Sequence, residues 1–272
     1  VGIDRAELLS AYDELRRAAT PPAPGWSVES DASTVLLLPP PGEHGATVVW
    51  SRLDGSTAGA AIARHVALAA GRGTALEWKH HDYDDPPDLP DRLRAAGFVP
   101  ETAETLVAAD LADLVAATAG LGPPAGVRLR ELDDGDAEAV VELGFAVWGE
   151  DHRWLVDAVL AERAADPGSL RMHVAEADDG TVVAAAWVRL HAGSPFASLW
   201  GGSTRPGWRR RGVYRSLVAL RAREALAAGA RWVTVDASPD SRPVLERLGF
   251  VPVTATTPYV LDLRESRTPG AG

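Results

Sequence analysis

The spacing of hydrophobic positions changes several times along the chain, and each change marks an element. From Asp4 to Ala19 apolar residues recur every three or four positions among Asp4, Arg5, Glu7, Asp13, Glu14, Arg16 and Arg17, which predicts an amphipathic helix closed by Pro21, Pro22, Pro24 and Gly25. Runs rich in β-branched and aromatic residues at 26–29, 35–38 and 47–53, separated by Pro- and Gly-containing turns, read as strands. Helical spacing returns at 57–70 and stops at Gly71. A strand at 74–79, an acidic proline-rich loop HHDYDDPPDLP, a short helix at 91–96, a strand near 105–109 and a connecting helix at 111–119 complete the first half. The segment GLGPPAG, 120–126, is the linker candidate.

The second half runs through the same order at full length. The pattern predicts a strand at 127–131, helices at 136–147 and 154–164, and strands at 172–176, 182–190 and 196–203. A helix at 213–228, a strand at 232–236, a short helix at 242–248 and strands at 251–254 and 258–263 follow, and the tail 265–272 is expected to be disordered. Three anchors tie the halves together. ALAAG occurs at Ala67–Gly71 and Ala225–Gly229, Gly-Phe-Val-Pro at Gly97–Pro100 and Gly249–Pro252, and Trp50 and Trp200 stand in the strand before each long helix. Trp50 to Ala67 is 17 positions and Trp200 to Ala225 is 25, so the first half is about eight residues shorter at that join. The expectation is two related modules, 1–119 and 127–264, joined by 120–126.

Composition narrows the function classes. A chain of 272 residues with 46% hydrophobic residues has enough apolar surface for two cores. Its formal net charge of -11 argues against a general nucleic-acid surface. No cysteine is present, which removes disulfides, thiolate zinc sites and thiol nucleophiles and permits a reducing cytoplasm. No apolar run approaches the roughly 20 residues that span a bilayer. The expectation is a cytoplasmic protein with no nucleic-acid or membrane partner; no feature specifies an oligomeric state.

Against that acidic background WGGSTRPGWRRRGVY, Trp200–Tyr214, concentrates Arg205, Arg209, Arg210 and Arg211, with Arg215 next along the chain. It reads as a strand end, a Pro-Gly turn, and Gly212 opening a helix with Val213, Leu217 and Leu220 on one face. The first N–H groups of a helix lack acceptors and lie at the positive end of its dipole, so such a loop suits a phosphate. The plainer reading is a solvated basic turn. The matching stretch of the first half, SRLDGSTAG, has one arginine and an aspartate.

Two motifs carry a family resemblance: Arg209-Arg210-Arg211-Gly212-Val213-Tyr214, and Leu245-Glu246-Arg247-Leu248-Gly249-Phe250. With the elements between them, 127–263 resembles the GNAT superfamily of acetyl-CoA-dependent acyltransferases. The resemblance implies an α/β (α+β) fold of two GNAT-like modules, each a mixed, mostly antiparallel sheet flanked by helices, with the first module degenerate and without cofactor. It implies a sheet that opens between the strand ending at Ser203 and the strand ending at Asp236. Pantetheine would pair there with Ser203 and Thr204, N–H groups of Arg210, Arg211, Gly212, Val213 and Tyr214 would hold the pyrophosphate, and the Arg209 side chain would assist. Two positions depart from the family pattern. Tyr214 replaces a usual Gly or Ala, and Leu245 stands where many members carry a tyrosine acid, while Ser238 matches an asparagine often found earlier in that segment.

Acyl transfer to an amine needs a neutral nitrogen, a polarised carbonyl and a thiolate that is protonated or tolerated. Candidate bases are Asp236, which reads equally as a turn cap, and Glu150 or His152 in the connection beside Asp151. His173 and His191 read as ordinary strand or turn residues. Trp148 and Trp154 are candidates for an aromatic wall. The cluster His80, His81, Asp82, Asp84 and Asp85 reads as a solvated loop in preference to a metal site. The expected function is direct transfer of acetyl from acetyl-CoA to the primary amine of a small molecule, without metal; the alternative is a non-catalytic acyl-CoA-binding or regulatory protein.

Overall fold

The computed structural model describes residues 3–22, 24–41, 43 and 45–263. In chain order the elements are α1 (Arg5–Arg17), β1 (Ser27–Ser30), β2 (Thr34–Leu38), β3 (Ala46–Ser51), α2 (Ala58–Arg72), β4 (Leu76–His81), α3 (Leu89–Ala95), β5 (Val99–Pro100), β6 (Glu104–Asp110) and α4 (Leu111–Ala117). They continue as β7 (Val127–Glu131), α5 (Ala137–Trp148), α6 (Arg153–Ala165), β8 (Leu170–Ala177), β9 (Val182–Leu190), β10 (Phe196–Thr204), α7 (Val213–Ala227), β11 (Trp232–Ala237), α8 (Arg242–Arg247) and β12 (Val251–Leu261). Several boundaries differ from the hydrophobic pattern, among them these four. Helix α2 passes through Gly71 and ends at Gly73, whose φ of 68° is left-handed and closes the helix. Strand β4 extends through His80 and His81, the two expected strands at 251–254 and 258–263 are one strand, and the helix expected at 242–248 stops at Arg247. The tail 265–272 lies outside the described residues.

The chain forms two compact units that cut across the expected boundaries. Among the described residues one comprises 107–252 with residue 3, the other 4–106 with 253–263. The GLGPPAG segment is therefore inside the larger unit, where Gly122 O accepts a hydrogen bond from Ser216 Oγ of α7. The division follows the strands: the last strand of the chain, β12, pairs antiparallel with β4 from Thr256–His81 to Leu261–Leu76.

In the larger unit the strand order is β7-β8-β9-β10-β11-β6. Strands β7 to β10 are antiparallel neighbours, and β10 and β11 are parallel. One face packs Ala197, Leu199 and Val233 against Val218, Ala222 and Ala225 of α7. The other packs Met172, Val174, Ala185 and Trp187 against Val140, Val141 and Leu143 of α5 and Val156 and Val159 of α6. In the smaller unit the order is β1-β2-β3-β4-β12, and Trp78, Leu76, Leu36 and Ile62 form its core.

Buried neutral histidines make stability depend on pH. Burial lowers His65 to about 4, with the charge of Arg64 adding to it, and His65 Nε2 shares a hydrogen bond with Thr34 Oγ1 at 2.9 Å. Burial likewise lowers His191 to about 4. In the unfolded chain both revert to an ordinary value near ~6.5. Between those values the unfolded chain binds protons that the folded chain refuses, so stability is lost as pH falls from 6.5 toward 4. The urea midpoint is expected to drop over that window, and His65→Asn combined with His191→Asn to flatten the drop; equal slopes would contradict this.

Candidate active site

The site grows from a fork in the sheet of the larger unit. Strands β10 and β11 pair at Phe196–Trp232, Ala197–Val233 and Ser198–Thr234 and then continue unpaired with each other to Thr204 and Ala237. Just beyond the last pair β10 bulges, its register against β9 shifting between Trp200 and Ser203. Two glycines let two rings close on the bulge. A Cβ at Gly201, where φ is 61°, would lie 2.0 Å from the Trp187 ring, and one at Gly202 would lie 2.8 Å from the Tyr214 ring. Neither position accepts a side chain without displacing an indole or a phenol.

Beyond the fork the chain makes a short 3-10 turn at Pro206–Trp208 and enters α7 through Gly212, whose φ of 95° is left-handed. Arg210 is also left-handed, at φ 61°. Left-handed residues in such a turn direct successive N–H groups toward one concave side, a nest for anions. No side chain caps the N-terminus of α7, so its first donors stay available. Arg209, Arg210, Arg211 and Arg215 are exposed. Arg209 Nε donates to Thr204 O at 3.2 Å, Arg205 Nε to Val182 O at 2.9 Å, and the Arg211 guanidinium lies 4.9 Å from the Trp208 ring. Among the described residues none of these five arginines forms an ion pair, whereas Arg128, Arg130, Arg153, Arg163 and Arg189 all do. The cradle thus keeps a local positive charge in an acidic chain.

The other expected residues take definite places. Ser203 is buried and pairs with Ala185, and Thr204 pairs with Ala184 on β9, which leaves the β11 side of both without a strand partner. Thr204 Oγ1 is buried without a hydrogen-bond partner, an open valence at the fork. Val213 contributes its side chain to the core and only its N–H to the loop. Asp236 is half-buried near the end of β11, on the same face as Thr234 and Ser198 by strand alternation. Ser238 lies in the turn into α8, where its Oγ accepts from Ser241 N at 3.3 Å. Glu150 is exposed in the α5–α6 connection, and His152 opens α6 with its ring edge-on to Trp148 at 5.2 Å. Trp148 and Trp154 are half exposed. The structure joins Ser203 through Tyr214 into one continuous feature opposite Asp236 and Ser238; among the described residues Glu150 and His152 have no hydrogen bond to either arm. Leu245 is fully buried in the core.

Sequence reasoning missed Arg221, which is 1% exposed and donates to Trp187 O and Trp200 O at the bulge, at 3.0 and 3.2 Å. Its signal was a charge inside the buried stripe Val213, Leu217, Val218, Ala222 of α7. His191, read as an ordinary turn residue, shares a hydrogen bond with Ser198 Oγ at 2.8 Å, and Ser198 Oγ also accepts from Trp200 Nε1 at 2.7 Å.

The smaller unit repeats the fork and fills it with its own side chains. Strands β3 and β4 pair in parallel at Ala46–Leu76, Thr47–Glu77 and Val48–Trp78, then continue unpaired with each other. Trp50 stands two residues past the last pair, as Trp200 does in β10. Into this fork α1 sends Arg16, whose Nε donates to Val49 O at 3.0 Å and whose Nη1 and Nη2 donate to Asp84 at 2.9 and 3.1 Å. Asp84 Oδ2 also accepts from His81 N at 2.9 Å. His80, His81 and Asp84 are buried here, which corrects the solvated-loop reading for those three, while Asp82 and Asp85 are exposed as expected: β4 carries the two histidines to opposite buried faces, and Arg16 neutralises the Asp84 carboxylate. Among the described residues no acidic and histidine cluster has the arrangement of a metal site. Just ahead of α2, Asp54 Oδ1 accepts from Ser56 Oγ at 2.7 Å, Ser56 N at 2.8 Å and Thr57 N at 2.9 Å, which holds its pKa down at about 2. Like α7, α2 has no side-chain cap at its N-terminus; what differs is that this carboxylate stands ahead of it where α7 has the arginine cluster.

Comparison with known proteins agrees with this geometry. Residues 127–250 match the model of the acetyltransferase (GNAT) family. They are a GNAT domain. Over the whole chain the GNAT fold is shared with a GCN5-related N-acetyltransferase from Kribbella flavida, 18% identical, with a TM-score of 0.66 over 100% of this chain and 98% of that one. A tandem GNAT protein from the clavulanic acid biosynthesis pathway is 17% identical, with a TM-score of 0.59 over 97% of both chains. A conserved protein from Staphylococcus epidermidis is 12% identical, with a TM-score of 0.62 over 88% of this chain and 95% of that one. No curated protein matches. The fold is a mixed, mostly antiparallel sheet flanked by helices, and no helix among the described residues is long and apolar enough to cross a membrane.

Proposed function

We propose that the GNAT domain is an acetyl-CoA-dependent N-acetyltransferase that passes acetyl directly to the primary amine of a small molecule, in the cytoplasm, without a metal, membrane or nucleic-acid partner. The observation that carries the reading is the pairing of an open strand fork with an uncapped, arginine-ringed helix head. Acetyl-CoA supplies an activated acyl group and three anionic phosphate groups for such a cradle. N–H groups of Arg210 to Tyr214 hold the pyrophosphate with Arg209, the free edge of Ser203 and Thr204 pairs with the pantetheine amides, and Thr204 Oγ1 and Ser238 offer further polar contacts. Asp236 receives the proton of the amine directly or through water. Glu150 and His152 line the acceptor entrance and are the alternative bases.

A second reading, a non-catalytic acyl-CoA-binding protein, rests on Leu245, which offers no proton to a leaving thiolate. Incubation with acetyl-CoA and a panel of small amines, with free thiol and acetylated product both measured, separates the two. Thiol release in step with product on at least one amine is expected; tight CoA binding with no turnover on any amine favours the second reading.

A further inference from the structure

Trp50 and Trp200 stand at the same place in the two forks, two residues past the last parallel pair, and differ in what covers them. In the smaller unit α1 lies over Trp50: its Nε1 donates to Asp13 Oδ1 at 2.9 Å, the Arg17 guanidinium is 5.8 Å from its ring, and 1% of the residue is exposed. In the GNAT domain Trp200 is 40% exposed. Its cross-strand neighbour Trp187 is 6% exposed beneath α5 and α6, so the helical cover of that face of the sheet ends between the two indoles.

The exposed ring is nevertheless held from several sides. Nε1 donates to Ser198 Oγ at 2.7 Å, and His191 Nε2 shares the same oxygen at 2.8 Å. The Arg189 guanidinium lies 4.8 Å from the ring centroid and is itself fixed by Glu162 of α6 through two hydrogen bonds of 2.7 Å. A large apolar surface pinned in place and left in water adds little burial to the fold, whereas it offers a ligand a contact area that needs no further ordering. With a cation already on the ring, the indole suits a neutral aromatic or apolar group better than a second cation.

Ser198 and Thr234 form the last pair before the fork opens, so Trp200 and Asp236, each two residues further on, stand across its first open step on the same face of the sheet. We infer that Trp200 is a specificity-determining residue that holds the aromatic ring of an arylalkylamine acceptor whose amine is engaged by Asp236. The inference rests on the acetyl-CoA reading above, in which Asp236 receives the amine proton. The carboxylate selects the cationic nitrogen before it loses that proton, and the indole across the fork selects the carbon skeleton. Paired strands lie about 4.8 Å apart and the fork widens from there, so the two groups suit a nitrogen joined to its ring by a short aliphatic spacer and not one borne on the ring. A hydroxylated or polycationic amine leaves the indole in water and forgoes that contact.

The test is equilibrium binding of phenethylamine and ethylamine to the protein saturated with CoA, where no acetyl group is present and nothing turns over. Phenethylamine is expected to bind about tenfold tighter than ethylamine, or more. Folded Trp200→Ala is expected to bring the two within about threefold of each other, and Trp200→Phe to retain most of the difference, because a smaller ring still offers a face. Asp236→Asn is expected to weaken both amines alike and so to keep their ratio. A wild-type ratio below about threefold overturns the inference even if Trp200→Ala fails to fold. An unchanged ratio in folded Trp200→Ala overturns it too, as does the absence of binding by either amine to the CoA complex. Absence of CoA binding to the wild type overturns instead the cofactor reading beneath it.

Discussion

Gly212→Val, alone or with Arg209→Ala, is expected to abolish CoA binding while leaving the protein folded. The effect comes from the backbone and not from crowding. A Cβ at Gly212 would meet nothing closer than Arg215 Nη2 at 3.7 Å, but φ is 95°, where a β-branched residue is strongly disfavoured. The strain is relieved by rotating the loop, which turns the first N–H groups of α7 away from their common target. Losing several charge-assisted hydrogen bonds at roughly 1.5–3 kcal/mol each corresponds to a loss of affinity of a hundredfold or more. Arg209→Ala alone removes one exposed cation and is expected to weaken binding only several-fold. Calorimetric titration with circular dichroism on the same samples checks both; wild-type affinity in folded Gly212→Val would sink the cradle.

The second large effect belongs to the smaller unit. Arg16→Met is expected to destabilise it by about 3–5 kcal/mol, because it leaves the Asp84 carboxylate buried without its cation. Burial opposes the charge of Arg16, yet the field and hydrogen bonds of Asp84 outweigh it and leave the guanidinium pKa raised. Asp84→Leu alone strands the arginine instead and also removes the acceptor for His81 N. Changing both residues together is expected to cost less than the sum of the two, since neither charge is then unmatched. Denaturant unfolding of the two single variants and the double variant measures this; a loss below about 1 kcal/mol for Arg16→Met would show that the fork is not held by this pair.

These two predictions divide along what a sequence can reveal. Strand β7 ends where the alternation of apolar residues does and β9 where its continuous apolar run gives way to Arg189 and Leu190, because such patterning and turn residues are local properties. The repeat was legible through Trp50 and Trp200, and the structure gives them the same register beyond their parallel pairs. The cradle was legible because glycine, arginines and a helix start lie within a few consecutive residues. The plug in the smaller unit was not, since Arg16 and Asp84 are far apart in the chain and each alone looks like a surface charge. The misread histidines share that cause: contiguous His80, His81 and Asp82 resemble a hydrophilic loop until β12, from the other end of the chain, pairs with β4 and buries it. Arg221 was hidden for a related reason, because an arginine on a helix is ordinarily solvated and only the carbonyls of Trp187 and Trp200 give it an interior place.

Tyr214 and Leu245, the two departures from the family pattern, now have physical accounts. The Tyr214 ring covers Gly202 at the bulge, and Leu245 fills the core beside Phe250. Neither disturbs the donors of the cradle.

The most direct measurement is the stoichiometry of CoA binding by isothermal titration. An open fork in the GNAT domain and a fork filled by Arg16, with a carboxylate instead of an arginine cluster ahead of its helix, predict one site per chain. Two sites per chain, or none, would contradict it.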